Sequence, residues 1–165
     1  MLGKIVFVTG GARSGKSTFA EKYAAGLSEQ VAYIATAQGF DQEMIQRISL
    51  HQARRPEQWV TFESPAAIED VVDDIGHYPV KLFDCLTIYI SNLLLKFDFE
   101  QTSIELRHTA AMEAIEKLIV TLKQAGGVSI IVSNEVGMGI VPDNPLAREY
   151  RDLAGKANQR IAECS

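Results

Sequence analysis

Residues 10–17 constrain the fold of this chain most, because they read GGARSGKS and match G-x-x-x-x-G-K-[ST] at every fixed position. An apolar, β-branched run precedes the motif at residues 4–9, and a segment with helical spacing of apolar residues follows at residues 17–27. The glycines allow the backbone to curl so that N–H groups point at phosphate oxygens, and the helix dipole adds positive potential. The sequence therefore predicts a phosphate-binding loop (P-loop) that binds a nucleoside triphosphate.

Each position of this loop has an expected role. Lys16 would reach the β- and γ-phosphates, and Ser17 would hold magnesium (Mg²⁺) through its hydroxyl. The other loop positions would present backbone N–H groups to the phosphates. The predicted nucleotide-binding set is Gly10, Gly11, Ala12, Arg13, Ser14, Gly15, Lys16, Ser17 and Thr18.

The remainder of the chain alternates between apolar runs of strand length and segments of helical period. We predict further strands at residues 31–36, 59–62, 80–84 and 128–133, and further helices at residues 41–54, 64–75, 86–97, 102–124 and 146–162. Such alternation is typical of right-handed βαβ units and a mostly parallel sheet covered on both faces. The predicted fold class is α/β, a three-layer αβα P-loop NTPase of RecA-like type, with residues 1–165 as a single domain.

Charge and apolar patterning narrow the classes of partner. The formal net charge is −5, which argues against a nucleic-acid backbone as the main partner. No run of about 20 uncharged apolar residues is present, so we expect no membrane span. The two cysteines, Cys85 and Cys164, show neither CxxC nor metal-ligand spacing, so we expect a reduced, cytoplasmic protein with Cys85 in its core.

Acidic residues follow two of the predicted strands. Asp84 ends the strand at residues 80–84 and is the expected second magnesium anchor, although it could instead cap the helix that follows. Glu135 follows the strand at residues 128–133 and could orient a hydroxyl nucleophile or a metal-bound water, cap Gly137 or face solvent. Because ligands bind beyond the carboxyl ends of parallel strands, we expect both acids to lie at the same sheet edge as Gly10.

His51 lies on a predicted helix near Arg47, Arg54 and Arg55. Neighbouring arginines would favour a neutral, nucleophilic imidazole and would suit a phosphate target. On these residues alone, however, a structural or solvated histidine is the more frequent case. The sequence pattern by itself leaves the role of His51 open.

A series of motifs, in order along nearly the whole chain, resembles the bifunctional adenosylcobinamide kinase and adenosylcobinamide-phosphate guanylyltransferase family of cobalamin synthesis. Each motif alone is modest, and their order and spacing are specific. They are VTGGARSGKS at residues 8–17, YIATA at 33–37, DQEMIQRI at 41–48, His51-x-x-x-Arg55-Pro56-x-x-Trp59, DCLT at 84–87, SNLL at 91–94, NEVGMGIVP at 134–142 and RDLAG-x-x-NQ at 151–159.

This resemblance implies two reactions. ATP or GTP would phosphorylate the hydroxyl of adenosylcobinamide, and GTP would then donate GMP to that phosphate through a GMP–histidine intermediate. The matching histidine is His51. The resemblance thus implies His51 as the nucleophile and a homotrimer. Together with the residue-based expectations, the expected catalytic residues are His51, Lys16 and Glu135, the expected magnesium ligands are Ser17 and Asp84, and Arg55 is an expected nucleotide contact.

The chain departs from the family pattern at two places. Tyr89 stands where the family commonly has tryptophan. The family also continues past its last helix into another strand, whereas this sequence stops at Ser165, so either the chain is truncated or its sheet is one strand short of the family's.

Two rival functions remain open on the sequence. The first is a small-molecule kinase with one phosphoryl transfer, in which His51 would be dispensable. The second is a regulatory GTPase, which would be expected to carry an Asn/Thr-Lys-x-Asp motif that this sequence lacks.

Overall fold

The computed structural model describes residues 2–165, apart from the side chain of Arg47. Its strands are β1 (Lys4–Gly10), β2 (Val31–Ala35), β3 (Val60–Glu63), β4 (Val80–Asp84) and β5 (Val128–Asn134). Its α-helices are α1 (Lys16–Leu27), α2 (Gln42–Ala53), α3 (Val72–Ile75), α4 (Leu86–Leu94), α5 (Ile104–Gln124) and α6 (Pro145–Glu163), and a 3₁₀ turn (Ile68–Val71) leads into α3. The alternation predicted from the sequence is confirmed.

The five strands form one sheet in the order β1-β5-β4-β2-β3, and each neighbouring pair is parallel. One strand, β5, therefore separates the P-loop strand β1 from β4, which ends at Asp84. This is the RecA-like arrangement, so the predicted fold class is confirmed. The non-consecutive order brings the carboxyl ends of β1, β5 and β4 together at one edge.

Two hydrophobic cores cover the two faces of the sheet, as an alternating side-chain pattern in parallel strands requires. The larger core joins Ile34, Phe83 and Ile131 of the strands to α4, α5 and α6. The smaller core joins the alternate strand positions, among them Tyr33, to α1 and Trp59. The molecule is a three-layer αβα sandwich, and Cys85 lies buried in the smaller core as expected.

Helix α1 contacts the sheet through small residues. Ala20 and Ala24 are fully buried, whereas Phe19, Tyr23 and Leu27 at helical spacing are exposed. Alanines allow the helix axis to approach the strands closely, because they place no long side chain between them. The aromatic rings of Phe19 and Tyr23 stack on each other at the surface, 6.1 Å between centroids.

The predicted helix at residues 64–75 is wrong in its first part. The Ser64 N–H donates to the carbonyl of Ala35 (2.9 Å) and so extends the pairing of β3 with β2. The carbonyl of Pro65 accepts from the side chain of Asn92 (2.9 Å). With these backbone groups engaged elsewhere, helical geometry begins only at Ile68.

Helix α2 contributes little to either core. Asp41 caps its first turn by accepting from the Met44 N–H (2.7 Å), and none of its described side chains is buried. Helices without buried faces have low local stability. Helix α2 therefore adds little buried apolar surface to the domain.

A buried ion pair joins α5 to α6. The Arg107 guanidinium donates from Nε and Nη2 to the two carboxylate oxygens of Glu149, at 2.8 and 2.6 Å.

Across the described residues, no helix is long and apolar enough to span a bilayer.

Candidate active site

The P-loop adopts a conformation that its glycine makes accessible. Gly15 has φ = 86°, in the left-handed region that favours glycine, and it forms the N-cap of α1. Its carbonyl accepts from the Phe19 N–H (2.9 Å), while the Ser14 N–H donates to the Gly11 carbonyl (3.3 Å). Lys16 Nζ also donates to the Gly11 carbonyl (3.2 Å). The loop thus wraps around the N-terminus of α1, and the Lys16 side chain folds back onto the loop backbone at Gly11.

Three expected site residues lie at the same sheet edge. Gly10 pairs in register with Asn134 at the ends of β1 and β5, and the Glu135 N–H donates to the Gly10 carbonyl (3.0 Å). Asp84, at the end of β4, pairs in register with Val132 of β5. The predicted juxtaposition of Gly10, Asp84 and Glu135 at the carboxyl edge is confirmed.

Asp84 is held by a tyrosine rather than used as a cap. The Tyr33 hydroxyl donates to Oδ2 of Asp84 (2.9 Å), and Oδ1 accepts no hydrogen bond from the described residues. Burial raises the pKa of the Asp84 carboxyl, although the bond from Tyr33 opposes that shift. Cys85, not Asp84, occupies the N-cap of α4, and no side chain caps that helix. The capping alternative for Asp84 is therefore wrong.

The chemistry of the donors suits a magnesium ion. An ion there would meet the Asp84 carboxylate and the Ser17 hydroxyl, which are oxygen ligands of the hard type that Mg²⁺ prefers, together with nucleotide phosphate oxygens. The residues present fit a magnesium–phosphate site.

The Arg55 guanidinium packs against the aromatic ring of Tyr33, whose hydroxyl donates to Asp84. Its guanidinium carbon is 3.3 Å from the centroid of Tyr33, and its Nη1 donates to Oγ1 of Thr61 (3.0 Å). Its Nε is shielded from solvent and has no hydrogen-bond partner among the described residues. Burial, with the Asp84 carboxylate as a second cause, raises the pKa of the Tyr33 hydroxyl, so Tyr33 remains a donor at physiological pH.

His51 projects from α2 toward α1. Its Nδ1 lies 3.2 Å from Nη2 of Arg54 and 3.6 Å from Oε1 of Glu21, and its side chain is 33% exposed. The structure therefore brings His51 to the same edge as the P-loop helix, and it adds a carboxylate, Glu21, that the sequence reading did not include.

Glu135 currently turns back on its own loop. It is exposed, and its Oε1 accepts from the Gly137 N–H (2.5 Å), which is one of the alternatives open on the sequence. The preceding residue is better anchored, because Asn134 Nδ2 donates to Oγ1 of Thr87 (3.0 Å).

Two residues at the site, Glu21 and Tyr33, were missed by sequence reasoning. Tyr33 stands in an apolar strand and reads as core, and Glu21 reads as a solvated position on an amphipathic helix. Tyr33 is the first residue of the YIATA motif and Glu21 lies shortly after the P-loop, and this position in or near a motif was the available signal.

Fold, loop and edge residues together define a P-loop nucleotide-binding protein. A family profile described as cobinamide kinase / cobinamide phosphate guanyltransferase matches residues 6–165. The chain belongs to this family.

Similar proteins with curated descriptions carry the name bifunctional adenosylcobalamin biosynthesis protein. The CobU proteins of Escherichia coli (strain K12) and Salmonella typhimurium (strain LT2) are 42% and 41% identical to this chain over 163 residues, covering 96% of this chain and 90% of each relative. The CobP protein of Pseudomonas aeruginosa is 43% identical over 157 residues, covering 94% of this chain and 86% of the relative.

Among solved structures, a KaiC-like protein, PH0186 from Pyrococcus horikoshii OT3, matches with a TM-score of 0.49 and 14% identity. The match covers 93% of this chain and 68% of that one.

Proposed function

We propose that this chain catalyses both reactions named in its family description, at a single P-loop. In the first, ATP or GTP phosphorylates the hydroxyl of adenosylcobinamide. In the second, GTP transfers GMP to adenosylcobinamide phosphate and releases pyrophosphate. The observation that carries the proposal is the position of His51 beside Glu21 of α1, the helix that begins at the P-loop.

For the kinase step, the P-loop N–H groups and Lys16 would stabilise charge on the transferring γ-phosphoryl group. Ser17 and Asp84 would hold magnesium, which supplies charge neutralisation on the phosphates. Glu135 would orient the acceptor hydroxyl after exchanging its contact with Gly137 for the substrate, and its backbone contact with Gly10 supports this placement.

For guanylyl transfer, an imidazole nitrogen of His51 would attack the α-phosphorus of GTP and form an N–P bond as pyrophosphate departs. The covalent intermediate divides one difficult transfer into two easier ones. The P-loop, which cradles the β- and γ-phosphates, would stabilise the leaving pyrophosphate. Arg55, between the histidine helix and Tyr33, would contact the nucleotide.

We further propose a cytoplasmic homotrimer. Exposed apolar side chains support self-association: Phe19, Tyr23 and Leu27 on α1, and Met138 and Ile140 in the loop after β5. Size-exclusion chromatography with light scattering tests this, since the trimer should have three times the chain mass of 18.2 kDa. A monomeric mass would contradict it.

The test of the covalent step uses GTP labelled at the α-phosphate. With magnesium, the protein should retain label after denaturation, and the label should be labile to acid and stable to alkali, as for a phosphoramidate. The variant His51→Ala should take no label, whereas His77→Ala, which alters an exposed histidine elsewhere, should label normally. A folded, nucleotide-binding protein that takes no label would instead be a single-step kinase.

A further inference from the structure

Glu21 carries a carboxylate oxygen that is shielded from water and accepts no hydrogen bond from the described residues. Its side chain, on α1, is 13% exposed, and Nδ1 of His51 lies 3.6 Å from this oxygen. This contact places Glu21 beside the imidazole that the proposed guanylyl transfer uses. An unpaired buried acceptor is unfavourable, so its retention at this place calls for a functional explanation.

Two side chains approach the same nitrogen of His51, and they require opposite tautomers. Arg54 can only donate, so its contact with Nδ1 at 3.2 Å requires a lone pair on Nδ1 and a proton on Nε2. Ionised Glu21 can only accept, so its contact requires the proton on Nδ1 and leaves the lone pair on Nε2. Only the second tautomer has a free nucleophilic lone pair on the nitrogen away from both neighbours.

We propose that Glu21 is a positioning residue that holds the proton of His51 on Nδ1 and so makes Nε2 the nucleophile. This inference rests on the proposed guanylyl transfer through His51. Glu21 touches no reacting atom and acts through the imidazole, in the way that a carboxylate orients the histidine of a catalytic triad.

The bonds balance without proton transfer to Glu21. The Nε2 lone pair forms a bond to the α-phosphorus, and the bond from that phosphorus to the β-bridging oxygen breaks, so that pyrophosphate leaves with the electron pair. The ring, protonated at Nδ1 and bonded to phosphorus at Nε2, is then cationic and faces the Glu21 carboxylate. When an acceptor phosphate oxygen attacks the phosphorus, the N–P bond breaks and Nε2 recovers its lone pair.

The structure permits the exchange of partners that this role requires. Arg54 is exposed at the end of α2, so it can leave the ring without stranding a buried charge. None of the described side chains of α2 is buried, so the helix can approach α1 closely enough to convert 3.6 Å into a hydrogen bond. Catalytic hydrogen bonds are often long before the substrate binds.

The first measurement is the tautomer itself. Long-range ¹⁵N–¹H NMR on histidine-labelled protein distinguishes Nδ1–H from Nε2–H, and comparison with His51→Ala assigns the signals. With magnesium and a GTP analogue whose α–β bridge cannot be cleaved, His51 should be protonated on Nδ1. In Glu21→Ala, the Nε2–H form should predominate, and in Arg54→Gln the Nδ1–H form should persist. A wild-type ring that stays protonated on Nε2 would overturn the proposal.

The second measurement is the single-turnover rate of His51 labelling at saturating GTP. Glu21→Gln and Glu21→Ala should lower this rate by about 100-fold or more, as expected when the orienting carboxylate of a catalytic histidine is lost. The affinity for GTP and the rate of cobinamide phosphorylation should change little, which excludes misfolding. Glu29→Gln, which removes an exposed carboxylate just after the same helix, is the matched control.

The outcomes separate the two proposals. Equal labelling of wild type and both Glu21 variants, with an unchanged tautomer, would refute the role of Glu21 and leave the guanylyl transfer intact. Absence of label on the wild-type protein would refute the guanylyl transfer itself, and with it the role of Glu21.

Discussion

The hydroxyl of Tyr33 donates a 2.9 Å hydrogen bond to Oδ2 of Asp84, and the guanidinium of Arg55 lies 3.3 Å from the centroid of the same ring. A single buried ring thus links the carboxylate expected to hold magnesium to the arginine expected to meet the nucleotide. A conservative substitution of Tyr33 should therefore weaken metal binding while the domain remains folded.

Tyr33→Phe should therefore weaken magnesium binding in the presence of nucleotide by about 10-fold or more, as is usual when an outer-shell partner of a metal ligand is lost. Quenching of a fluorescent nucleotide by Mn²⁺ measures this without turnover. Tyr89→Phe is the control, because it also removes a buried hydroxyl but lies in the larger core on the opposite face of the sheet. Equal metal affinity in wild type and Tyr33→Phe would contradict the expectation.

Asp84→Asn should stabilise the metal-free protein at neutral pH. Burial raises the pKa of Asp84, so the folded state binds a proton more tightly than the unfolded state, and stability falls as pH rises from the ordinary carboxyl range toward the raised value. The amide carries no charge to desolvate. Removal of such a group typically gains about 0.5–2 kcal/mol, and each kcal/mol raises Tm by roughly 2–4 °C in a chain of this size.

Thermal unfolding with a chelator present checks this effect across a pH series. The advantage of Asp84→Asn should shrink as the pH falls through the raised pKa of Asp84 and should level off below the ordinary carboxyl range, where the wild-type side chain is protonated in both the folded and the unfolded state. A variant less stable than wild type at neutral pH would show that the carboxylate has compensating contacts.

Lys16→Ala should slow both cobinamide phosphorylation and His51 labelling by about 100-fold or more, the usual cost of removing one donor that stabilises transition-state charge. The effect on both reactions follows from the use of one P-loop for the transferring and the leaving phosphates. Lys22→Ala, on the same helix beyond the loop, provides the control. Loss of one activity with the other unchanged would mean that the two reactions use separate phosphate sites.

Glu149→Ala should lower the urea midpoint of unfolding markedly, because it leaves the Arg107 guanidinium between α5 and α6 without its bidentate partner. The double variant Arg107→Met, Glu149→Leu should recover much of the loss, since no buried charge remains. Glu69→Ala, which breaks an exposed pair with Lys117, should change stability by less than about 1 kcal/mol. Equal destabilisation by Glu149→Ala and Glu69→Ala would contradict the buried-pair account.

The two thiols should differ in reactivity toward iodoacetamide. Burial and the neighbouring Asp84 carboxylate raise the pKa of the Cys85 thiol, and the contact of its Sγ with Oγ1 of Thr87 (3.2 Å) only partly opposes that shift, so little thiolate is available. Cys164 is only partly buried and should react first. Peptide mass mapping over time distinguishes the sites, and faster labelling of Cys85 in folded protein would be inconsistent with its packing.

The sequence was sufficient for the elements that local rules define. The motif at residues 10–17 and the alternation of apolar runs predicted the P-loop, the parallel sheet and the common edge of Gly10, Asp84 and Glu135, because strand ends in parallel sheets meet at one edge.

Long-range contacts account for what the sequence reading missed. The backbone at Ser64 bonds to Ala35, which no local signal in the Ser-Pro pair shows. Glu21 acquires its neighbour only when α1 and α2 meet, across a separation of 30 residues. In the sequence, Tyr33 has the pattern of a core residue in an apolar strand, and only the tertiary fold brings its hydroxyl to Asp84. Each of these is a tertiary relationship between distant segments.

Helix α2 stands outside both hydrophobic cores while carrying His51. Substitutions in α2 should leave folding and the P-loop largely unchanged. Mutation can therefore remove guanylyl transfer while keeping the kinase reaction, but not the reverse. With His51 as the proposed nucleophile, a lineage could lose guanylyl transfer through a single change in α2 and retain a stable kinase. A change in the P-loop would remove both reactions together, which makes α2 the part of the domain where evolution can alter the second reaction independently of the first.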